Sequence, residues 1–298
     1  MSVNPVSDSE GAGTPSRPLL SRAGREPTHS AEAVDEYGRP LEKSVAGEFP
    51  LTIYLNKSEV VTLMTMGTHP EALTLGYLKN QGLVANLADI ESVQVDWETE
   101  SASVVTVSDS DSWASKLGKR TVTTGCGQGT VFGDVMEQLA EVRLPPMRIR
   151  QSVIYSLLRN LSAHNEIYKS AGAVHGCALC QGDNIEMFVE DVGRHNAVDA
   201  IAGMMWLDDV SGADKLFYTT GRLTSEMVIK VAQMGIPILL SRSGITKMGL
   251  DLARQIGVLM ISRAKGRHFL VYHGADRVEF DARPEHPGYI SGGKGMQD

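Results

Sequence analysis

LFYTTGR, residues 216–222, is a short apolar run that breaks into two hydroxyls, a glycine and an arginine before a helical pattern resumes. The chain repeats this unit across its C-terminal half. The runs Ile185–Glu190, Leu216–Thr220, Ile238–Ser241 and Leu259–Ser262 are followed by loops that hold Arg194, Arg222, Arg242 and Arg263. Short apolar runs alternating with helical patterns predict an α/β fold around a parallel sheet. In such a sheet, ligands sit beyond the carboxyl ends of the strands, near helix N-termini whose free N–H groups suit anions. Four arginines at equivalent positions are therefore expected to converge on one ligand with several negative charges, a nucleotide or a phosphorylated pterin.

Charge sharpens this expectation. The 298 residues carry 28 Lys+Arg against 36 Asp+Glu, a formal net charge of −8. That balance argues against general nucleic-acid binding and for a local basic cleft. No apolar stretch approaches the roughly 20 residues of a membrane span, and no basic-then-apolar secretory signal opens the sequence. Three cysteines, Cys126, Cys177 and Cys180, are too few for a disulfide framework and fit a reducing cytoplasm. The expectation is a soluble cytoplasmic protein without a membrane or nucleic-acid partner.

Residues 1–47 are rich in Ser, Pro, Gly, Glu and Arg and read as a disordered tail. Residues 48–145 read as a smaller α+β domain. Within it, Leu51–Leu55 and Val60–Met64 are strands, and Ile90–Glu98 with Ala102–Ser108 makes a hairpin. Thr68 is predicted to N-cap a helix that carries Pro70 in its first turn, Glu71 closing a capping box and Gly82 as its stop. Residues 146–283 form the C-terminal α/β domain, opened by a helix with Val153, Ile154, Leu157, Leu158 and Leu161 on one face. Residues 284–298 read as a loose tail.

Several segments carry candidate chemistry. Cys126 stands between Gly125 and Gly127 in an exposed-looking loop, near Lys119 and Arg120. A thiolate there would be the reactive form, since a free cysteine has a pKa of about 8.5 that falls near cations. EDVGRHNAVD, Glu190–Asp199, sets Asp191, Arg194, His195 and Asn196 at a strand-to-helix junction, as ligand groups or as an ordinary capped helix. Thr220, Gly221 and Arg222 repeat the design with hydroxyls, and Ser241, Arg242 and Ser243 repeat it again. The last loop, Arg263-Ala264-Lys265-Gly266-Arg267-His268, gathers three cations. None of these matches a P-loop or a dinucleotide fingerprint. His175-x-Cys177-x-x-Cys180 invites zinc, but the partner motif of the zinc deaminases is missing and no fourth ligand is evident. The preferred reading makes Cys177 and Cys180 small buried residues one helical turn apart, leaving His175 to face the cleft.

Together these segments resemble the formate dehydrogenase accessory sulfurtransferase family, the FdhD type, from about Phe49 to Val278. The carriers are TMGTHPEALTLGYLKNQGL at Thr65–Leu83, the Gly125-Cys126-Gly127 loop, Ala173-Val174-His175, EDVGRHNAVD, TTGR at Thr219–Arg222, GIPIL at Gly235–Leu239 and RAKGRHFLVY at Arg263–Tyr272. The resemblance implies a cytidine deaminase-like α/β layered C-terminal domain without zinc chemistry. It implies transfer of persulfide sulfur from a cysteine desulfurase to a molybdenum (or tungsten) bis-guanine-dinucleotide cofactor, for which GDP is a mimic, on behalf of the catalytic subunit of formate dehydrogenase. Cys126 matches the first cysteine of the family's Cys-x-x-Cys loop, Gly129 replaces the second, and the cofactor-binding stretch maps onto Arg263–His268. Symmetry favours a homodimer. The competing readings are a molybdenum-cofactor chaperone without covalent sulfur transfer and a zinc-dependent deaminase.

Overall fold

A computed structural model describes residues 17–108, 121–122, 129–130 and 142–282. They fall into two compact units. The first contains described residues of 17–130 with Ala171–Ala173 and Asp191–Val210, and the second those of 142–170 with Val174–Glu190 and 211–282.

In the first unit, β1 (Leu19–Leu20), β4 (Phe49–Leu55), β5 (Ser58–Thr65), β6 (Ile90–Asp96) and β7 (Ser101–Thr106) form one sheet in the order β1-β6-β7-β4-β5. Alternation sets β4: Leu51, Ile53 and Leu55 are fully buried while the residues between them are half-buried. β2 (Thr28–Val34) and β3 (Pro40–Ala46) make a separate hairpin. β8 (Thr121–Val122) pairs antiparallel with β9 (Gly129–Thr130). Cys126 lies between them in sequence, outside the described residues.

Among the described residues, two α-helices belong to this unit, α1 (Pro70–Asn80) and, from much later in the chain, α4 (Arg194–Leu207). Both are buried almost all round, so neither shows the one-sided apolar stripe of a surface helix. They cross where each presents a glycine. A Cβ on Gly76 would lie 1.7 Å from the Asp199 carbonyl oxygen, and one on Gly203 would lie 1.9 Å from that of Ala72. Asn80 Nδ2 donates to Asp199 Oδ1 at 2.7 Å inside the same contact. Asp191–Val210 therefore belongs with the first unit, not with the C-terminal domain expected for residues 146–283.

Two further expectations change here. Residues 17–46 are structured, unlike the disordered tail read for 1–47. β1 adds to the sheet beside β6, Glu71 Oε1 accepts from Ser21 Oγ and Ala23 N, both at 2.6 Å, and Arg25 lies 3.9 Å over the Phe49 ring. The anchors come from distant positions, which local composition cannot reveal. The same bonds divert Glu71 from a capping box. α1 starts at Pro70 with His69, not Thr68, at the N-cap.

The second unit holds a six-stranded sheet made of β11 (His175–Gln181), β12 (Asn184–Asp191), β13 (Leu216–Thr219), β14 (Ile238–Ser241), β15 (Leu259–Lys265) and β16 (His268–His273). Its order is β12-β11-β13-β14-β15-β16. β13, β14 and β15 run parallel, while β11 and β16 are antiparallel to their neighbours β13 and β15. A small parallel pair, β10 (Ile149–Arg150) with β17 (Val278–Glu279), lies apart from it. α2 (Gln151–His164) lays Ile154, Leu157, Leu158 and Leu161 on the sheet face that presents Leu216, Tyr218, Ile238 and Leu240. The opposite-facing Phe217, Leu239 and Met260 are equally buried, so the central strands read as unbroken apolar runs. α3 (Glu166–Ser170) follows α2, α5 (Ser225–Gln233) follows β13 and α6 (Lys247–Ile256) follows β14.

The fourth repeat departs from the expected pattern. β15 continues through Lys265 and turns at Gly266-Arg267 straight into β16, the last strand that His268–His273 offers in the sequence, so Arg263–His268 is a bulged hairpin with no α-helix after it among the described residues. Among the described residues, no helix is long and apolar enough to cross a membrane.

Candidate functional site at the strand ends of the second unit

β13 and β14 end side by side, and the loops that leave them are laced together. Arg242 N donates to Thr219 O at 3.1 Å, Leu223 N to Gly244 O at 2.9 Å and Thr246 N to Leu223 O at 3.0 Å. Ser241 is buried behind this lacing. Its hydroxyl donates to Gly221 O at 2.6 Å and accepts from Ser243 N at 2.9 Å. Gly221 and Ser241 thus shape the loops from within.

β15 joins them through a bulge between Ser262 and Lys265. Arg263 occupies it with φ +55°, a conformation uncommon for a residue with a side chain. Its N–H donates to Ser243 O at 3.0 Å, and its guanidinium lies over Gly244, where an added Cβ would come within 3.5 Å. Strain of this kind clusters at ligand sites, where the surrounding bonds hold it.

β11 contributes from the other side. Thr220 Oγ1 accepts from Gly176 N at 3.0 Å and stands 3.5 Å from His175 Nδ1. The result is a hollow of about 360 Å³ into which His175, Thr220, Arg242, Ser243 and Arg263 all reach, closed by Asn165 and Tyr168 beyond α2. A crevice at the carboxyl ends of parallel strands is where this architecture binds ligands. Two guanidiniums with hydroxyls between them can hold an anion through charge-assisted bonds.

The remaining predicted residues divide. Ala264, Lys265 and Gly266 line a smaller adjoining hollow of about 150 Å³, together with Arg242. Gly266 and Arg267 line a third of about 510 Å³. Arg222 and His268 are exposed and line none of the three. Asp191, Arg194, His195 and Asn196 belong to the first unit. Asp191 Oδ2 accepts from Thr65 Oγ1 at 2.6 Å and Met66 N at 3.1 Å, and its Oδ1 accepts from Gly193 N and Asn196 Nδ2. Asn196 Nδ2 also donates to Met64 O at 2.7 Å. Burial raises the Asp191 carboxyl above its ordinary pKa, with these four donors opposing it. Arg194 and His195 are 5% and 1% exposed. Of the four arginines expected to converge, Arg242 and Arg263 share the first of these three hollows, and Arg194 and Arg222 line none of the three.

Cys177 and Cys180 are fully buried on β11, a strand and not the helical turn expected from their spacing. Three residues apart on a strand, they face opposite sides. Cys177 Sγ donates to Thr219 Oγ1 at 3.3 Å, and Cys180 packs in the core under α2. Burial pushes the Cys180 thiol up to about 12, and Tyr218 beside it likewise to about 12. Among the described residues, no group of three or more His, Cys, Asp and Glu is placed to hold a metal.

Asn165, Tyr168, Val174 and Gly176 were not foreseen at the site. Asn165 looks like a helix end and does serve as one, its Nδ2 donating to Leu161 O at 2.9 Å. Tyr168 is held there because its N–H, with that of Ile167, donates to the Glu190 carboxylate.

The site therefore defines an α/β protein with a cation-lined crevice at its parallel strand ends. The chain belongs to the FdhD/NarQ family, whose model matches residues 46–279. It is 32% identical over 241 residues to the sulfur carrier protein FdhD of Listeria monocytogenes serotype 4b, covering 80% of this chain and 92% of that one. With the protein of the same name from Bacillus subtilis strain 168, identity is 28% over 239 residues, 80% and 91% of the two chains. A crystal structure of a formate dehydrogenase accessory protein from Desulfotalea psychrophila superposes with a TM-score of 0.67 at 26% identity, covering 84% of this chain and 98% of that one.

Proposed function

We propose that this protein is a sulfur carrier. In this reading Cys126 takes a sulfane sulfur from the persulfide of a cysteine desulfurase and passes it to a molybdenum or tungsten bis-guanine-dinucleotide cofactor, bound as substrate on the second unit and destined for formate dehydrogenase. The observation that carries the reading is the hollow where His175, Thr220, Arg242, Ser243 and Arg263 meet, in a chain whose relatives are named sulfur carriers. Phosphate oxygens suit those guanidiniums and hydroxyls. The cytidine deaminase-like layering of the second unit, the homodimer and the cytoplasmic setting belong to the same reading. The strand order β12-β11-β13-β14-β15, with β11 reversed, supports the first of these.

The carrier works with one thiol. Gly129 stands in β9 where the family's second loop cysteine would be, and Cys177 and Cys180 are buried on opposite sides of β11. A single thiolate suffices: it attacks the outer sulfur of the desulfurase persulfide, the donor S–S bond breaks, and the desulfurase thiolate leaves. Calorimetry with GDP and activation of sulfur-depleted formate dehydrogenase by Cys126→Ala together test the proposal. GDP should bind the variant as it binds the parent while activation is lost. Full activation by Cys126→Ala would instead make the protein a cofactor chaperone without covalent transfer.

A further inference from the structure

The strand-end hollow is one of three that follow one another along the second unit. Asn165 and Arg242 line both the first hollow and the small middle one, and Leu158, Ser162 and Gly266 line both the middle one and the third. Through these shared residues they adjoin as one groove from the strand ends to the turn between β15 and β16, with α2 lining its middle and outer parts. At about 360 Å³ the first hollow is near the lower end of the ~300–1,000 Å³ common for small-molecule sites. A ligand that fills the groove is elongated.

The two ends differ in chemistry. Arg242, Arg263 and Lys265 line the first and middle hollows, and among the described residues no carboxylate lines any of the three, in a chain of net charge −8. The outer hollow has Arg159 and Arg267 in its lining as well, but it is built around a ring and has carboxylates at its margin. Tyr155 lies under the Arg267 guanidinium, 5.7 Å from carbon to ring centroid, and against Phe269 at 5.8 Å. Its hydroxyl accepts from Gln151 Nε2 at 2.8 Å, which fixes the ring. At the margin, Asp281 accepts from Ser152 N and Oγ and Asp183 from Ser156 Oγ. Carboxylates so placed repel phosphate but tolerate ring N–H groups and sugar hydroxyls. A fixed aromatic beside a planar guanidinium is a stacking platform for a heterocycle.

We infer that the groove holds a nucleotide lengthwise, with its phosphates among Arg242, Arg263 and Lys265 and its nucleoside on the Tyr155–Arg267 platform of α2 and the β15–β16 turn. This inference rests on the cofactor-binding part of the proposed function and adds which end of the ligand lies where. It makes Tyr155 and Ser156, on a helix otherwise read only for its apolar face, determinants of nucleoside recognition.

The test is calorimetry on the full chain with two probes, GDP and inorganic pyrophosphate. Tyr155→Leu removes the platform, and Ser156→Trp fills the outer hollow from a half-buried position. Both should weaken GDP about tenfold or more while leaving pyrophosphate within twofold, whereas Arg242→Ala should weaken both probes. GDP affinity retained in both α2 variants, or equal loss of GDP and pyrophosphate in them, would overturn the assignment. Failure of GDP to bind the unsubstituted protein would instead remove the cofactor-binding reading on which it rests, whereas failure of pyrophosphate alone would overturn the placing of the phosphates.

Discussion

Two polar clusters of similar composition meet opposite fates in this molecule. The one at Glu190–Asn196 turns inward: Asp191 and Asn196 satisfy Thr65, Met66, Gly193 and the Met64 carbonyl, and tie the end of β5 to the start of α4. The one spread over Thr220, Arg242, Ser243 and Arg263 turns outward. Its backbone is held by buried Ser241 and Thr219, which leaves its guanidiniums facing a hollow. Asp191 and Asn196 of the dense motif thus hold the framework, and a dispersed set of residues lines the hollow. What separates them is burial, since an enclosed polar group must bond to protein while one in an open hollow can bond to ligand.

The comparison breaks most easily at the α1–α4 crossing. Gly203→Val pushes a side chain into the Ala72 backbone, where nothing flexible can give way. The expected loss is about 3 kcal/mol or more by urea unfolding, and a loss below about 1 kcal/mol would deny the crossing its role. Asp191→Ala should come next. It strands donors from Thr65, Met66, Gly193 and Asn196 in a buried place and should cost about 2–3 kcal/mol of stability. In the outward cluster the ranking reverses. Arg242→Ala should leave the melting temperature unchanged and weaken GDP about tenfold to a hundredfold, the worth of a charge-assisted phosphate contact. Arg222→Ala, exposed and outside the three hollows, should change GDP affinity less than twofold.

The smallest effect concerns pH. Burial raises the Cys180 thiol from 9.0 to about 12 and the Tyr218 phenol from 10.0 to about 12 in the folded chain. A raised folded pKa means that the stabilisation is complete below the unfolded value and is lost as pH climbs toward the folded one. Each group should therefore remove about 1.4 kcal/mol per pH unit within its window. Unfolding free energies measured from pH 8 upward should show that decline, and Cys180→Ala should flatten it. An unchanged slope in the variant would place the alkaline sensitivity elsewhere.

Much of this architecture was legible in the sequence. Leu216–Thr219 and Ile238–Ser241 announce strands buried on both faces, the spacing of Ile154, Leu157 and Leu161 gives α2 its packing face, and β4 follows from plain alternation. What escaped was held by contacts between distant residues. No local signal shows that Ser21 and Ala23 are held by Glu71, or that Gly203 sits against Ala72 and draws Asp191–Val210 into the first unit. Arg222 resembled Arg242 because both follow a strand and a small residue, yet only Arg242 lines the groove. The contribution of α2 went unread because its polar face looked like ordinary solvent surface. One clue was available: that helix carries Ser152, Ser156 and Ser162 with Arg159, and no Asp, Glu or Lys, where a simple solvated face usually mixes both charges.

We propose that sulfur travels on Cys126 alone. The direct measurement is mass spectrometry of the full-length protein, incubated with a cysteine desulfurase and cysteine, alkylated while folded and then digested. One added sulfur on the peptide containing Cys126, with Cys177 and Cys180 unmodified until the chain is unfolded, is the predicted result. Sulfur on either β11 cysteine, or none on Cys126 while the protein still activates formate dehydrogenase, would contradict it.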